Sequence, residues 1–428
     1  MIIALFEDET YENFLPITYT RPVYECRAGM YTLRERVQES YPTSKIICFT
    51  RNYLAPTMKK RFSLIVNNPK AIDDDILLTN GTLILNENTK QLIEKRQALN
   101  TLYMQSGRMA YAHLSQDLAR EHANELCRPL TSQNIKKLAG KCKQIETNRL
   151  PLLTYPWDFV NHNAELIKED YAAIGSKQGE GTIDTKATVY GKETDVCIGK
   201  GSFVEAHVAL DARDGPIFIG SDTRIHAGSR ITGPTYIGDR VIIATGLIRE
   251  GCTIGPVCRI GGELEETIIQ GYTNKYHLGF IGHAYIGEWV NIGAATTNSD
   301  LKNTYGNVQI TTKGKNVDTG STKVGCFIGD HAKTSIGAQI YTGKKIGVAS
   351  QAHGFITKDV PSFTIWPETL GAKPVELYLK SAIETQKRAM KRRNVEQTKE
   401  DAELLKKLFE LTANERKKAG VAKRKFAL

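Results

Sequence analysis

Long apolar runs are missing from this chain of 428 residues, and none reaches the length of a membrane span, which speaks against a helical membrane protein. A basic leader is missing too: Met1-Ile2-Ile3-Ala4-Leu5-Phe6 runs straight into Glu7-Asp8, so the start predicts a buried first strand and a cytoplasmic address. The eight cysteines, at 26, 48, 127, 142, 197, 252, 258 and 326, contain no Cys-x-x-Cys pair, which argues against a zinc ribbon or dithiol motif and predicts reduced, mostly buried thiols. Net positive charge is small outside one segment. The net charge is +10, and residues 371–428 hold 16 Lys and Arg against 8 Asp and Glu, which leaves +8 in the tail (16 − 8). Mixed Lys and Glu there read as a solvated helical face or an assembly element rather than a nucleic-acid surface.

What is present is typical of a soluble globular protein, with 41% hydrophobic and 24% charged residues in a chain long enough for two or three folded units. Up to about residue 168, short apolar runs alternate with amphipathic stretches. Strands are expected at Met1 to Phe6, Ile46 to Phe49, Ile76 to Leu85 and Thr101 to Met104. Helices are expected around Met30, Leu33 and Val37, over Ser115 to Leu126, and over Asp158 to Lys168. This rhythm predicts a Rossmann-like α/β domain over 1–168.

Beyond it the period changes. Ile219, Ile225, Ile231, Ile237 and Ile243 lie six residues apart, with Thr223, Ser229, Thr235 and Val241 four residues after the first four of them. Three hexapeptides close one triangular coil of eighteen residues, the separation of Ile219 from Ile237 and of Ile328 from Ile346. Ile248, Ile254 and Ile260 resume the step after a slip, as do Ile286 and Ile292. The pattern predicts a left-handed parallel β-helix over 180–355, in which Cys252 and Cys258 stack as buried thiols. Two stretches without the isoleucine step, Glu263 to Gly279 and Asn298 to Gly325, read as polar insertions on a binding face. Leu404, Leu408 and Leu411 share one helical face in a basic helical tail over 370–428, expected to be a separate element whose removal leaves the body folded.

The stretch KYHLGFIGHAYIGEWVNIGAA, Lys275 to Ala295, resembles the acetyltransferase segment of the GlmU-like family, bifunctional sugar-1-phosphate nucleotidyltransferases and acetyltransferases. LPITYTRP, residues 15 to 22, is similar to the mouth of that family's nucleotide site, and YPWDFVNHNAELI, residues 155 to 167, to the end of its first domain. The resemblance implies a nucleotidyltransferase-like domain followed by the β-helix, in a transferase of sugar-nucleotide biosynthesis. It implies acetyl-CoA as cosubstrate, a sugar phosphate or sugar nucleotide as partner, a homotrimer, and an NTP with Mg²⁺ at the N-terminal site. His277 then falls on the catalytic histidine, with Asn291 and Asn298 as catalytic-site asparagines. N-acetyl transfer needs a base for the amine proton, and imidazole is the side chain that titrates near neutrality. Asn274, Lys275, Lys302 and Lys313 are candidate substrate ligands, whereas His207, His226, His283 and His353 read as structural or exposed.

Two departures bear on the first domain. The family's Gly-rich phosphate loop is replaced by FEDETYENFLP, and its cation-binding Gly-Asp by Asn80-Gly81-Thr82. Arg21, Arg27, Asp8, Asp158 and Asn163 are the candidates for a variant nucleotide site, and no residue set is assigned to a metal. The competing reading is a sugar-nucleotide-binding regulatory or scaffold protein whose catalysis has decayed.

Overall fold

The computed structural model describes residues 1–174 and 179–426. It divides into two compact units, Met1–Cys26 with Tyr31–Tyr155, and Arg27–Met30 with Pro156–Leu428.

The first unit is a seven-stranded sheet in the order Ile65–Val66, Ile46–Cys48, Ile2–Phe6, Ile76–Asn80, Arg108–Leu114, Thr101–Gln105, Lys143–Glu146. Its first four strands are parallel, and Arg108–Leu114 runs antiparallel to both neighbours. Continuous apolar runs such as Ile2–Phe6, buried throughout, are what a parallel strand covered on both faces requires. Thr32 and Glu35 form a capping box that starts the helix Leu33–Ser40. The strand from Ile76 stops at Asn80 rather than Leu85, where Gly81 turns the chain tightly against Phe6 and Tyr24.

In the second unit the isoleucine period becomes geometry: residues 182–366 wind a left-handed parallel β-helix. One inward column runs Ile198, Ile219, Ile237, Ile254, Ile269, Ile286, Ile328, Ile346. A second runs Val204, Ile225, Ile243, Ile260, Lys275, and a third Leu210, Ile231, Ile248, Leu264, Ile281. These aliphatic side chains are almost wholly removed from water, each worth roughly 1.5–3 kcal/mol of transfer free energy.

Glu263 to Gly279 is not an insertion. Leu264, Ile269 and Lys275 take the inward places of an ordinary rung, at steps of five and six residues. The stretch from Asn298 does leave the coil, as a hairpin of Gln309–Thr312 with Lys315–Asp318.

The helix Pro156–Ile174, expected to close the first domain, belongs to the second unit. Phe159 packs on Tyr285 at 5.5 Å and Trp157 on Phe327 at 6.4 Å, against outward positions of one β-helix face. The tail is docked rather than separate. Its strand Val375–Glu376 pairs with Thr364–Trp366, and Phe409 meets Phe363 at 5.3 Å. Arg416, 3% exposed, donates to Glu376 Oε2 at 2.7 Å and to the Phe409 carbonyl at 2.7 Å.

Candidate active site

A corner of the β-helix carries the exposed residues Tyr276, His277 and Leu278 between the inward Lys275 and the strand Phe280–Gly282. The His277 and Tyr276 rings meet edge-on at 5.6 Å. Gly279 ends the corner at φ +122, where a Cβ would lie 2.1 Å from the Thr296 carbonyl of the next rung, so only glycine fits. Gly279 also lines an open groove of about 520 Å³. Gly228, Gly246 and Gly262 continue its lining over the preceding rungs, with Arg230 and Glu263 as its charged members. Stacked glycines leave a surface on which an extended chain can lie against backbone.

Asn274 and Asn291 stand in one outward column, between Arg259 and Lys333, and Asn274 Nδ2 donates to Asn291 Oδ1 at 3.1 Å. Asn291 is exposed, as a substrate ligand requires.

Asn298 and Lys275 face the other way. Asn298, 2% exposed, pairs with the inward Ile340 and brackets Gly282, accepting from its N–H at 2.8 Å and donating to its carbonyl at 3.0 Å. Lys275, 1% exposed, occupies the place of an interior isoleucine, and its Nζ donates to the carbonyls of Gly261 at 2.8 Å and His277 at 2.7 Å. Burial pushes this ammonium down to about 8. Neither side chain reaches the outer surface. Lys302 donates to the Asn307 carbonyl, and Lys313 is exposed at the hairpin turn with φ +52.

Sequence reasoning missed a charged cluster around His283, whose members meet only when rungs stack. His283 Nδ1 lies 2.8 Å from Asp300 Oδ2 and its Nε2 3.4 Å from Glu266 Oε2. Burial alone would raise the Asp300 carboxyl, yet the hydrogen bond and charge of His283 hold it below the ordinary value. Glu265 joins Arg249 at 2.6 Å and Lys323 at 3.1 Å. With both ring nitrogens engaged, His283 is a structural histidine.

The candidates for the nucleotide site are divided between the units. In the first unit, Asp8 accepts from Asn80 Nδ2 at 2.8 Å and from Arg108 Nε at 3.1 Å. The remaining Arg108 donors go to Leu153 O at 2.9 Å, Thr154 Oγ1 at 3.4 Å, Thr10 Oγ1 at 2.9 Å and Thr82 Oγ1 at 2.7 Å. Arg21 is buried, and its carbonyl accepts from Arg51, which is itself clamped on Glu7 at 3.0 Å. The Arg108 guanidinium thus engages the Asp8 carboxylate and the Thr82 hydroxyl, and these residues do not fit Mg²⁺. Sequence reasoning missed Arg108 and Arg51 because neither stands in a motif.

In the second unit, Arg27 donates through Nε to Gln270 O at 3.3 Å and through Nη1 to Met30 O at 3.0 Å. Asn163 is wholly buried and bonds to Gly29 N at 2.8 Å, Thr253 Oγ1 at 3.1 Å and Gly251 O at 2.9 Å. Asp158 is partly exposed on the same helix.

Residues 3–178 match the family described as sugar nucleotidyl transferase. A bifunctional sugar-1-phosphate nucleotidylyltransferase/acetyltransferase of Sulfurisphaera tokodaii is 34% identical over 23% of this chain and 25% of its own. A bifunctional protein GlmU of Rippkaea orientalis is 34% identical over 26% of this chain and 28% of its own. The chain thus spans about a quarter of the length of these curated relatives. Among solved structures, a Francisella novicida UDP-N-acetylglucosamine acyltransferase aligns over 56% of this chain and 88% of its own, at 15% identity and a TM-score of 0.32.

Proposed function

We propose that this chain, a GlmU-like protein with a sugar nucleotidyl transferase domain over residues 3–178, is a transferase of sugar-nucleotide biosynthesis that moves an acetyl group from acetyl-CoA to the amine of an amino sugar phosphate. One observation carries the reading: an exposed histidine, His277, on the β-helix corner whose Gly279 lines the 520 Å³ groove. The acetyl thioester lies along that groove, and His277 takes the proton of the attacking amine. The C–N bond forms as the C–S bond breaks, and the departing thiolate recovers a proton as free thiol. Asn291, braced by Asn274, orients the sugar, and Lys302 and Lys313 on the hairpin supply positive charge for its phosphate. The groove is open in one copy, which supports a homotrimer in which a neighbouring copy closes it.

For the N-terminal unit a specific observation favours the other reading, that of a sugar-nucleotide-binding module without nucleotidyl transfer. Arg108, bonded to the Leu153 carbonyl, Thr10 and Thr82, places its charge on Asp8, so that carboxylate is engaged by a guanidinium rather than offered to a cation.

Thiol release from acetyl-CoA in the presence of glucosamine-1-phosphate tests the main reading. His277→Ala is expected to lower kcat by roughly 10²–10⁴-fold at an unchanged melting temperature. An equally active variant removes His277 from the reaction, and an inactive wild type across amino sugar phosphates leaves the binding-module reading for the whole chain.

A further inference from the structure

Lys275 occupies a position where its neighbours in the column are aliphatic. Ile225, Ile243 and Ile260 precede it inside the prism, and an isoleucine there would continue the core without a charge. An ammonium at that place is destabilising unless it does something an aliphatic side chain cannot, because burial disfavours its charged form. Its two bonds say what that is. One goes to Gly261 at 2.8 Å, within the preceding rung, and the other reaches forward to the carbonyl of His277 at 2.7 Å. The rung below is shaped to admit it: a Cβ at Gly262 would lie 2.7 Å from the ammonium, 2.8 Å from the His277 carbonyl and 2.9 Å from the Gly279 carbonyl.

We infer that Lys275 is a positioning residue for His277: from inside the prism it ties the backbone of the exposed corner to the preceding rung and so fixes the residue that presents the imidazole. This rests on the proposed role of His277 in acyl transfer. The carbonyls of Leu278 and Gly279 accept from Ala295 N at 2.9 Å and Glu263 N at 3.1 Å, whereas the His277 carbonyl is held by Lys275 from inside the prism and its ring touches Tyr276. A general base has to be held to within a fraction of an ångström of its working position, and an exposed corner residue does not hold itself there.

The test uses full-length Lys275→Met, which keeps the length and apolar fit of the side chain and deletes the charge. Turnover in the thiol-release assay is expected to fall at least tenfold while KM for acetyl-CoA stays within about twofold. Exchange of the Ala295 and Glu263 amides, which bond to the Leu278 carbonyl at 2.9 Å and the Gly279 carbonyl at 3.1 Å and so report on the corner, is expected to accelerate by tenfold or more, with the melting temperature held or raised. In the His277→Ala background the same substitution should cause no further loss of turnover. Unchanged turnover with unchanged exchange overturns the inference, as does an equal additional loss in the absence of His277. If wild-type protein transfers no acetyl group, the reaction assigned to the site fails on its own account. The exchange measurement then decides the tie, with unaltered exchange in Lys275→Met refuting it.

Discussion

Asn163 offers a direct contest between a nucleotide ligand and a structural stitch. Its amide sits in the dry interior of the second unit and makes three hydrogen bonds, to Gly29 N, Thr253 Oγ1 and Gly251 O. In Asn163→Ala the Thr253 hydroxyl keeps the Gly29 carbonyl at 2.9 Å, but the Gly29 N–H and the Gly251 carbonyl lose the partner that Asn163 supplied. A buried donor left alone costs about 1–3 kcal/mol, an acceptor somewhat less, and the vacated amide volume adds to both, so the expected loss is ~3–4 kcal/mol. For a unit of this size that corresponds to a fall in Tm of roughly 6–15 °C, read by calorimetry on the full chain. A nucleotide ligand behaves otherwise: the variant would melt with the wild type and lose nucleotide affinity. A melt within about 1 °C of wild type would refute the structural reasoning.

Gly262→Ala forces a Cβ against the Lys275 ammonium at a φ of +69, and a destabilisation of about 1–3 kcal/mol is expected in urea titration. Lys275 is held at about 8 in the folded chain against 10.5 as its ordinary value, so between those values the unfolded chain binds more protons. Stability from this group therefore rises as pH climbs from 8 towards 10.5, by about 3 kcal/mol at most. Urea midpoints at pH 7.5 and 9.5 should show the rise in wild type and a smaller one in Lys275→Met. Deleting the chain from Pro374 removes Arg416 and Phe409 from their contacts with the last rungs. A broadened melt or loss of solubility is expected, and an unchanged cooperative melt would show that the tail is dispensable.

The β-helix was legible because its interior admits one kind of side chain at a fixed step, so Ile219 to Ile243 announce it without knowledge of neighbours. The rung at 263–279 was hidden by the same rule. With Lys275 in an isoleucine's place and the step shortened to five residues between Leu264 and Ile269, the periodic signal vanishes although the coil continues. Asn298 matched a motif position, but whether it faces in or out depends on register against Ile340, which local sequence does not contain. His283 and Asp300 are seventeen residues apart and meet only through stacking. The tail misled because its Lys and Glu residues describe the solvent side alone. Its packed side includes Gln386, which bonds His331 at 3.0 Å, and Arg416, both polar and both buried.

The chain crosses between the units more than once, since Arg27–Met30 belongs with residues 156 onward although its flanks belong to the first unit. Arg27 N meets the Tyr285 hydroxyl at 2.7 Å across 258 residues of sequence, and Gly29 meets Asn163 across 134. A ribosome releases those four residues long before their partners exist, so the second unit closes late, on a segment made near the start of synthesis. A cut at residue 155 therefore does not separate two self-sufficient proteins. The piece that begins at 156 lacks the residues that Asn163, Thr253, Gln270 and Tyr285 hold in the intact chain.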